Sequence, residues 1–572
     1  MSSYFCNREA VIEKLIKLRC HYADKLAKNV QDSRYLQGLN KPKYDHPDVV
    51  SDKVLLYSLF PPRSKWCSLG IRGNYRGKDS AEKRNQRALR YTYWKARKNQ
   101  STEQWYVDLT HYADVIMYAI EHPSSLARPR VVPTPKEGKP HEFRPICSFC
   151  LKERVVLSML NKRLVGLLDK QFLDCSYAFR ARNHNENCSF MHLPAVLKLQ
   201  EFRKNHLDQV LYVAECDMKK FYDTINHKVI ADRFDVLLEG VQDIDENEKE
   251  LYRKWMQYYL DCYNFYDDVY TPSQQADSSL WSGLTREKDE EDRIPWVSEC
   301  EQLQITQKQE IGVPQGGALS TLIANIVLHT VDAAVMKAIG EDPNMLYMRF
   351  CDDMFLVGND KAKTQQVFEV YQDAVRQSQL YPHPNEEMKG GHDKDFWNGK
   401  TRGPYAWGDV KKGYYPWVTF VGFECNWRGE LRIRKSSFKK EYDKQEKVVR
   451  EIIVPLRTGK VMIRSNKKAL LGFIEKRLIA MSVGRVSMRN YKETENDHSW
   501  MSAYSILDSN KWSRAQMRSL DHHRKKMMVV AETRIPDKPL GVYGKSEHSK
   551  KECVFHGKPF SYYGQCFSYK HK

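Results

Sequence analysis

Met345-Leu346-Tyr347-Met348-Arg349-Phe350-Cys351-Asp352-Asp353-Met354-Phe355-Leu356-Val357 decides how this chain reads. Two adjacent carboxylates lie between two apolar runs, each long enough for a short strand. The pair is therefore expected in the two-residue connection of a β-hairpin. Carboxylates held side by side on a stiff hairpin repel one another unless a divalent cation neutralises them, and Mg²⁺ suits hard oxygen ligands. Asp-Asp in a turn is by itself ordinary turn chemistry. The chain also contains its own control, Phe265-Tyr266-Asp267-Asp268, with the same aromatic-x-Asp-Asp pattern. No apolar strand follows that copy and its surroundings are polar and acidic, so it is expected at the surface.

Two neighbours give the second copy its meaning. The run Val210-Leu211-Tyr212-Val213-Ala214-Glu215-Cys216 ends in Asp217. It reads as a core strand delivering that carboxylate to its C-terminal end, where it could complete a metal site with Asp352. Gly312-Val313-Pro314-Gln315-Gly316-Gly317-Ala318-Leu319-Ser320 is a Gly/Pro loop, and the apolar positions 319, 322, 323, 326, 327, 331, 334, 335 and 338 after it recur at helical spacing. A glycine-rich loop opening a helix lets backbone approach a nucleotide or base pair closely.

The ordered set Asp217…Tyr222, Pro314-Gln315-Gly316-Gly317…Ser320 and Phe350-Cys351-Asp352-Asp353 resembles the palm of bacterial reverse transcriptases, the lineage of group II intron, retron and phage-defence enzymes. Lys136-Glu137-Gly138-Lys139…Arg144-Pro145-Ile146 is similar to the fingers motif of that family. Ser176-Tyr177-Ala178-Phe179-Arg180 is similar to the segment usually written with Gly at its third place. Leu380…Asn385-Glu386-Glu387-Met388-Lys389 and Phe420-Val421-Gly422-Phe423 are similar to the fourth palm motif and the primer-grip hairpin.

This resemblance implies an α+β right-hand polymerase: fingers and a palm with an antiparallel sheet and helices on one face, a helical thumb, and an N-terminal helical extension. It implies RNA-directed DNA polymerisation with Asp217 and Asp352 bridging two Mg²⁺ ions (Mn²⁺ as substitute), and Asp353 as the weaker ligand. Lys136 and Arg144 would neutralise the triphosphate, while Gln315 and Gly316 would position the template base and incoming dNTP. Tyr222 would lie beneath the incoming sugar, leaving no room for a 2′-hydroxyl, and Phe221 would face the core by strand alternation. Lys389 is a candidate proton donor to pyrophosphate, Phe420 and Gly422 are candidate nucleic-acid contacts, and Asp223 and Asn226-His227 are expected to cap a helix. Implied partners are a structured non-coding RNA template, a DNA primer or product, and a second copy of the chain or a companion defence protein.

Departures narrow the resemblance. The usual Tyr-Ala-Asp-Asp is Phe-Cys-Asp-Asp here, and the usual Ser-Pro is Ser320-Thr321. Asp217 and Gly312 have 94 residues between them, which points to a family-specific insertion at about 238–305. Neither the retron box and thumb signature nor a Cys/His endonuclease domain is present, so the pattern is closest to abortive-infection and defence-associated enzymes. Three other readings stay open: an RNA polymerase of related palm architecture, a catalytically idle RNA-binding scaffold such as a splicing helper, and protein-primed or untemplated synthesis with Tyr562, Tyr563 or Tyr569 as primer.

Composition is compatible with a nucleic-acid partner. The 572 residues hold 92 Lys+Arg against 73 Asp+Glu, a net charge of +19, which suits a polyphosphate. Fourteen cysteines without a secretory signal indicate a reduced, cytoplasmic setting, and no apolar run near 18 residues is evident, so no membrane is expected. The divisions read as an N-terminal helical and basic extension at 1–125, fingers and palm at 126–428, a helical thumb at 429–540 and a tail at 541–572. In the extension, Arg84, Arg87 and Arg90 interleave with Tyr91, Tyr93 and Trp94, a pattern suited to phosphate contact and base stacking. In the tail, the spacing of Cys553, His556, Cys566 and His571 matches no known zinc finger, and these are read as ordinary residues.

Overall fold

The structure, a computed structural model, describes residues 7–37, 47–68, 81–136, 139–181, 192–270, 310–386, 394–458, 462–463, 466–483, 506–507 and 510–536. The chain forms two compact units, one of Met1–Lys14 with Val107–Val421 and one of Leu15–Tyr106 with Gly422–Lys572. These divisions differ from the expected ones. Most of the basic N-terminal stretch groups with the region read as a thumb instead of forming an extension of its own. Residues 541–572, with the Cys/His spacing and the three tyrosines, lie outside the described residues.

The first unit is organised by Leu211–Cys216, a strand buried at nearly every position. It lies at the centre of a five-stranded sheet ordered Met345–Phe350, Asp353–Gly358, Leu211–Cys216, Thr401–Trp407, Asn385–Glu386. The pairs are antiparallel except the last, where the two-residue edge strand runs parallel to Thr401–Trp407. A strand enclosed by strands and helices has no polar face to offer water, which is why its sequence reads as an apolar run and not as an alternation. The register Cys216↔Met354 sets Asp217 level with the end of the 345–358 hairpin.

Helix Lys361–Gln377 packs on the central strands and helix Ser320–Ile339 packs against it. Contrary to the expected lack of apolar runs, Ser320–Ile339 is long and apolar enough to cross a membrane. It is a core helix here: Asn325 and Asp332 are buried within it and hydrogen-bonded to Ala178 and Arg349. Asn226 caps helix His227–Glu239 by accepting from the Lys228 and Val229 amides, as its residue type predicts.

The segment expected to be an insertion is core at its start. Helix Glu246–Asp261, capped by Asp245, buries Leu251, Tyr252, Trp255, Met256 and Tyr259. Residues 271–309 lie outside the described residues. The first Asp-Asp copy also corrects the sequence reading. Phe265, Tyr266, Asp268 and Val269 are all buried, and both Asp268 oxygens accept from Arg128 Nη1 at 3.1 Å. Tyr266–Tyr270 is a π-helical turn, so the apolar residues around the carboxylates follow a helical instead of a strand spacing. The missing strand was legible; the burial was not.

In the second unit, helices Lys435–Arg457, Lys467–Val483 and Lys511–Arg534 share a core of Val449, Ile452, Leu470, Ile474, Leu478 and Met527. Most of their long basic side chains lie on the faces left over, the amphipathic pattern of helices packed on one side only, whereas Arg524 is buried 3.8 Å from Glu475.

Asp268→Ala takes from Arg128 its partner at 3.1 Å, leaving the longer 3.5 Å contact with Asp267, and empties a buried site. It is expected to lower unfolding free energy by about 1–3 kcal/mol, less than for a fully enclosed pair because the Arg128 side chain is 31% exposed. Urea unfolding measures this, and an Asp268→Ala protein as stable as the parent would contradict the structural role.

Candidate active site

The hairpin turn is shifted by one residue from its expected place. Phe350 pairs with Asp353 across the strands, so Cys351 and Asp352 form the two-residue turn, and Cys351 takes the left-handed φ of 60° such turns require. Asp352 is consequently half-buried, whereas Asp353 begins the return strand and is exposed.

Arg349 holds this turn from within. Its side chain, 1% exposed, pairs with Asp332 at 2.6 Å. It also donates to the Cys351 carbonyl at 2.9 Å and the Ser176 hydroxyl at 2.9 Å. Tyr347 adds its hydroxyl to the same Asp332 carboxylate. The segment Ser176–Arg180 closes over the network: the Tyr177 amide donates to the Arg349 carbonyl, and Arg180 fills the carbonyls of Asp169, Phe172, Leu173 and Ser176. Sequence reading passed over Arg349, although a lone cation inside an apolar run was the available signal.

Asp217 and Asp352 meet at the end of the sheet. Burial pushes the Asp352 carboxyl above its ordinary range, and the neighbouring Asp217 charge pushes it further. Asp217 Oδ2 lies 3.3 Å from Lys400 Nζ and 3.8 Å from His383 Nε2. The expected proton donor Lys389 lies outside the described residues; the lysine that the structure brings to Asp217 is Lys400, just before the Thr401–Trp407 strand. Among the described residues no group of three or more His, Cys, Asp or Glu is gathered as a metal centre. Asp217 and Asp352 nevertheless fit a divalent cation: they are hard oxygen donors whose mutual repulsion such an ion relieves. Asp353, expected as the weaker ligand, is exposed at the first position of the return strand.

Tyr222 borders this pair. Phe221–Thr224 is a helical turn and not a strand, so Phe221 is buried for a different reason than alternation. The Tyr222 hydroxyl lies 3.2 Å from Cys351 Sγ, and burial pushes its ionisation far up. The glycine loop is bound to the same turn: Val313 N donates to the Tyr222 carbonyl and Gly312 N to that of Ile225, both at 2.8 Å. Gln315 donates its side-chain amide to buried Asp223 at 2.8 Å, which gives Asp223 a loop-anchoring role instead of a capping one. His227 bonds the Gly312 carbonyl at 2.7 Å. A Cβ at Gly317 would lie 1.9 Å from the Tyr259 hydroxyl, and Gly316, at φ 102°, passes close to the Cys147 carbonyl. Close packing thus demands the first of these glycines and the backbone conformation the second.

The remaining candidates are spread out. Arg130–Lys136 and Lys139–Ser148 form a separate hairpin carrying half-buried Lys136 and exposed Arg144. Phe420 is buried against Phe355, ring centres 5.5 Å apart, so it supports the 345–358 hairpin and offers no face to a base. Gly422, at φ 88°, belongs to a turn. Arg84 and Arg90 are exposed and Arg87 half-buried on helix Ala81–Lys98 of the second unit, where Tyr91 stacks on Trp94.

The family model described as reverse transcriptase (RNA-dependent DNA polymerase) matches residues 134–385, which include Asp217, Tyr222, the glycine loop and the Asp352 turn. The chain carries a reverse transcriptase domain. No curated protein sequence matches the chain. Among solved structures it is similar to telomerase from Candida tropicalis with a TWJ fragment of telomeric RNA (13% identity, TM-score 0.35, 80% of this chain and 74% of that one). It is also similar to telomerase from Candida albicans with the same kind of fragment (12%, 0.33, 84% and 79%). Apo telomerase from Candida tropicalis gives 14% identity and a TM-score of 0.34 over 72% of this chain. The chain spans 64% of that apo protein and 56% of its C-terminally truncated form. Similarity this slight carries no functional argument.

Asp352→Asn keeps the shape of the turn and removes one of two repelling charges. A carboxyl whose folded pKa is raised loses stability as pH rises from its unfolded value through its folded one, so the variant's advantage should appear only above that window. At neutral pH without divalent cations, melting is expected to rise by about 2–4 °C, corresponding to about 1 kcal/mol. Polymerisation should be lost. Calorimetry across pH and a primer-extension assay check both, and a fully active variant would remove Asp352 from the site.

Proposed function

We propose that this chain is a working RNA-directed DNA polymerase that extends a primer with deoxynucleotides on an RNA template. The observation that supports this most is the juxtaposition of Asp217, Asp352 and the Tyr222 ring at one end of the sheet, with the glycine loop hydrogen-bonded to the Tyr222 turn. Bound divalent cations, Mg²⁺ first and Mn²⁺ as substitute, would acidify the attacking 3′-hydroxyl and neutralise the triphosphate. Asp217 and Asp352 would hold them. The Tyr222 ring, pinned by Cys351 on one side and by backbone bonds on the other, would present a stiff surface to the incoming sugar. Gln315 and Gly316 would face template and nucleotide, and Lys136 and Arg144 are accessible to the triphosphate.

The finer reading is an enzyme of the defence-associated lineage, acting in the cytoplasm on a structured non-coding RNA. It rests on sequence resemblance alone: the Phe-Cys-Asp-Asp turn and the lack of retron and endonuclease signatures.

Sequencing the nucleic acid that co-purifies with the parent and with Asp352→Ala tests class and template together. RNA on both proteins and complementary DNA only on the parent is the expected result; equal DNA on both would overturn the polymerase reading. Tyr222→Ala should lower the preference for deoxynucleotides roughly ten- to a hundredfold while some dNTP incorporation persists. Single-nucleotide addition with dNTP and NTP in parallel measures it, and a parent that already prefers NTP would favour an RNA polymerase instead.

A further inference from the structure

We propose that Lys400 is a built-in counter-ion of Asp217 that a divalent cation must displace, so that this lysine sets how tightly the site takes up metal. The proposal rests on reading Asp217 and Asp352 as the cation-binding pair.

Two short segments are fastened to the backbone around Asp217. The His383 amide donates to the Asp217 carbonyl at 2.9 Å and the Lys219 amide to the Tyr381 carbonyl at 2.7 Å, while Met218 bridges Pro382. On the other side, the Asp217 amide donates to Thr401 Oγ1 at 3.4 Å, and Lys400 is the next residue. The roots of His383 and Lys400 are therefore fixed relative to the carboxylate, and their tips converge on it. Lys400 Nζ lies 3.3 Å from Asp217 Oδ2 and 3.1 Å from His383 Nε2. An ammonium has only donors, so Lys400 donates toward both groups and brings a positive charge to this oxygen. Its side chain is 58% exposed. It can swing into solvent without leaving a cavity.

An ammonium and a divalent cation cannot share that carboxylate edge without repulsion. Displacing the ammonium costs the ion pair, which at this exposure corresponds to about a two- to fivefold loss of metal affinity. Lys411, exposed on a short helical turn of the same unit, serves as a control for charge removal in general.

The test is Mn²⁺ binding to the full chain without nucleic acid or nucleotide, with the free ion followed by electron paramagnetic resonance and the fold checked by circular dichroism. Lys400→Met should bind Mn²⁺ about two- to fivefold more tightly than the parent at low ionic strength, with the gap narrowing as salt screens the ammonium. Lys400→Arg and Lys411→Met should not tighten binding, and in an Asp217→Ala background Lys400→Met should have no effect. Unchanged or weaker binding by folded Lys400→Met, equal tightening by Lys411→Met, or no Mn²⁺ bound by the parent would each overturn the proposal. Primer extension by the parent separates the two readings. Competition without extension leaves the lysine assignment standing and sinks the polymerase, and extension without competition does the reverse.

Discussion

The buried pair of Arg349 and Asp332 is the interaction on which the geometry of the Cys351-Asp352 turn depends. A guanidinium enclosed in a sheet is tolerable only when its donors are matched, and Arg349 reaches Asp332, the Ser176 hydroxyl and the Cys351 carbonyl. Each of those partners comes from a different element. The pair therefore ties the hairpin to helix Ser320–Ile339 and to the Ser176–Arg180 segment with fixed bond directions, which apolar packing could not supply. A turn that must hold a half-buried carboxylate beside another needs such directional support, because repulsion would otherwise open it.

Electrostatic tension at the site is the counterpart of that rigidity. Asp352 is half-buried, near Asp217, and harder to ionise than a surface carboxylate. A fold that keeps two such groups together sacrifices some stability in the absence of a cation and recovers it on binding one. The Tyr222 ring is fixed by the same framework. Its hydroxyl meets the turn residue Cys351 and its carbonyl meets the glycine loop, so movement of the hairpin would be felt at the ring.

The apolar runs, the lone Asp at the end of a strand, the glycine loop before a helix and the second Asp-Asp copy were legible in order along the chain. They determined the central strand and the elements that carry Asp217, Asp352 and Tyr222, because strand and helix periodicities and Gly/Pro punctuation are local properties. Sequence could not decide which of two residues occupied the turn, because register depends on pairing with distant Leu211–Cys216 as much as on the hairpin itself. Nor could it decide burial. Asp268 and Asp352 sit in the same tetrapeptide pattern, yet one neutralises Arg128 inside a helical cluster and the other faces Asp217, since each carboxylate's charge state is set by neighbours far away in sequence. Phe420 as support for Phe355, Arg349 as anchor of the turn and Lys400 at Asp217 likewise exist only once the sheet has assembled. What the sequence by itself determined was the set of chemical groups and the elements bearing them; which groups touch was decided by tertiary structure, because hydrogen bonds and ion pairs reach only a few ångströms across contacts that no local period records.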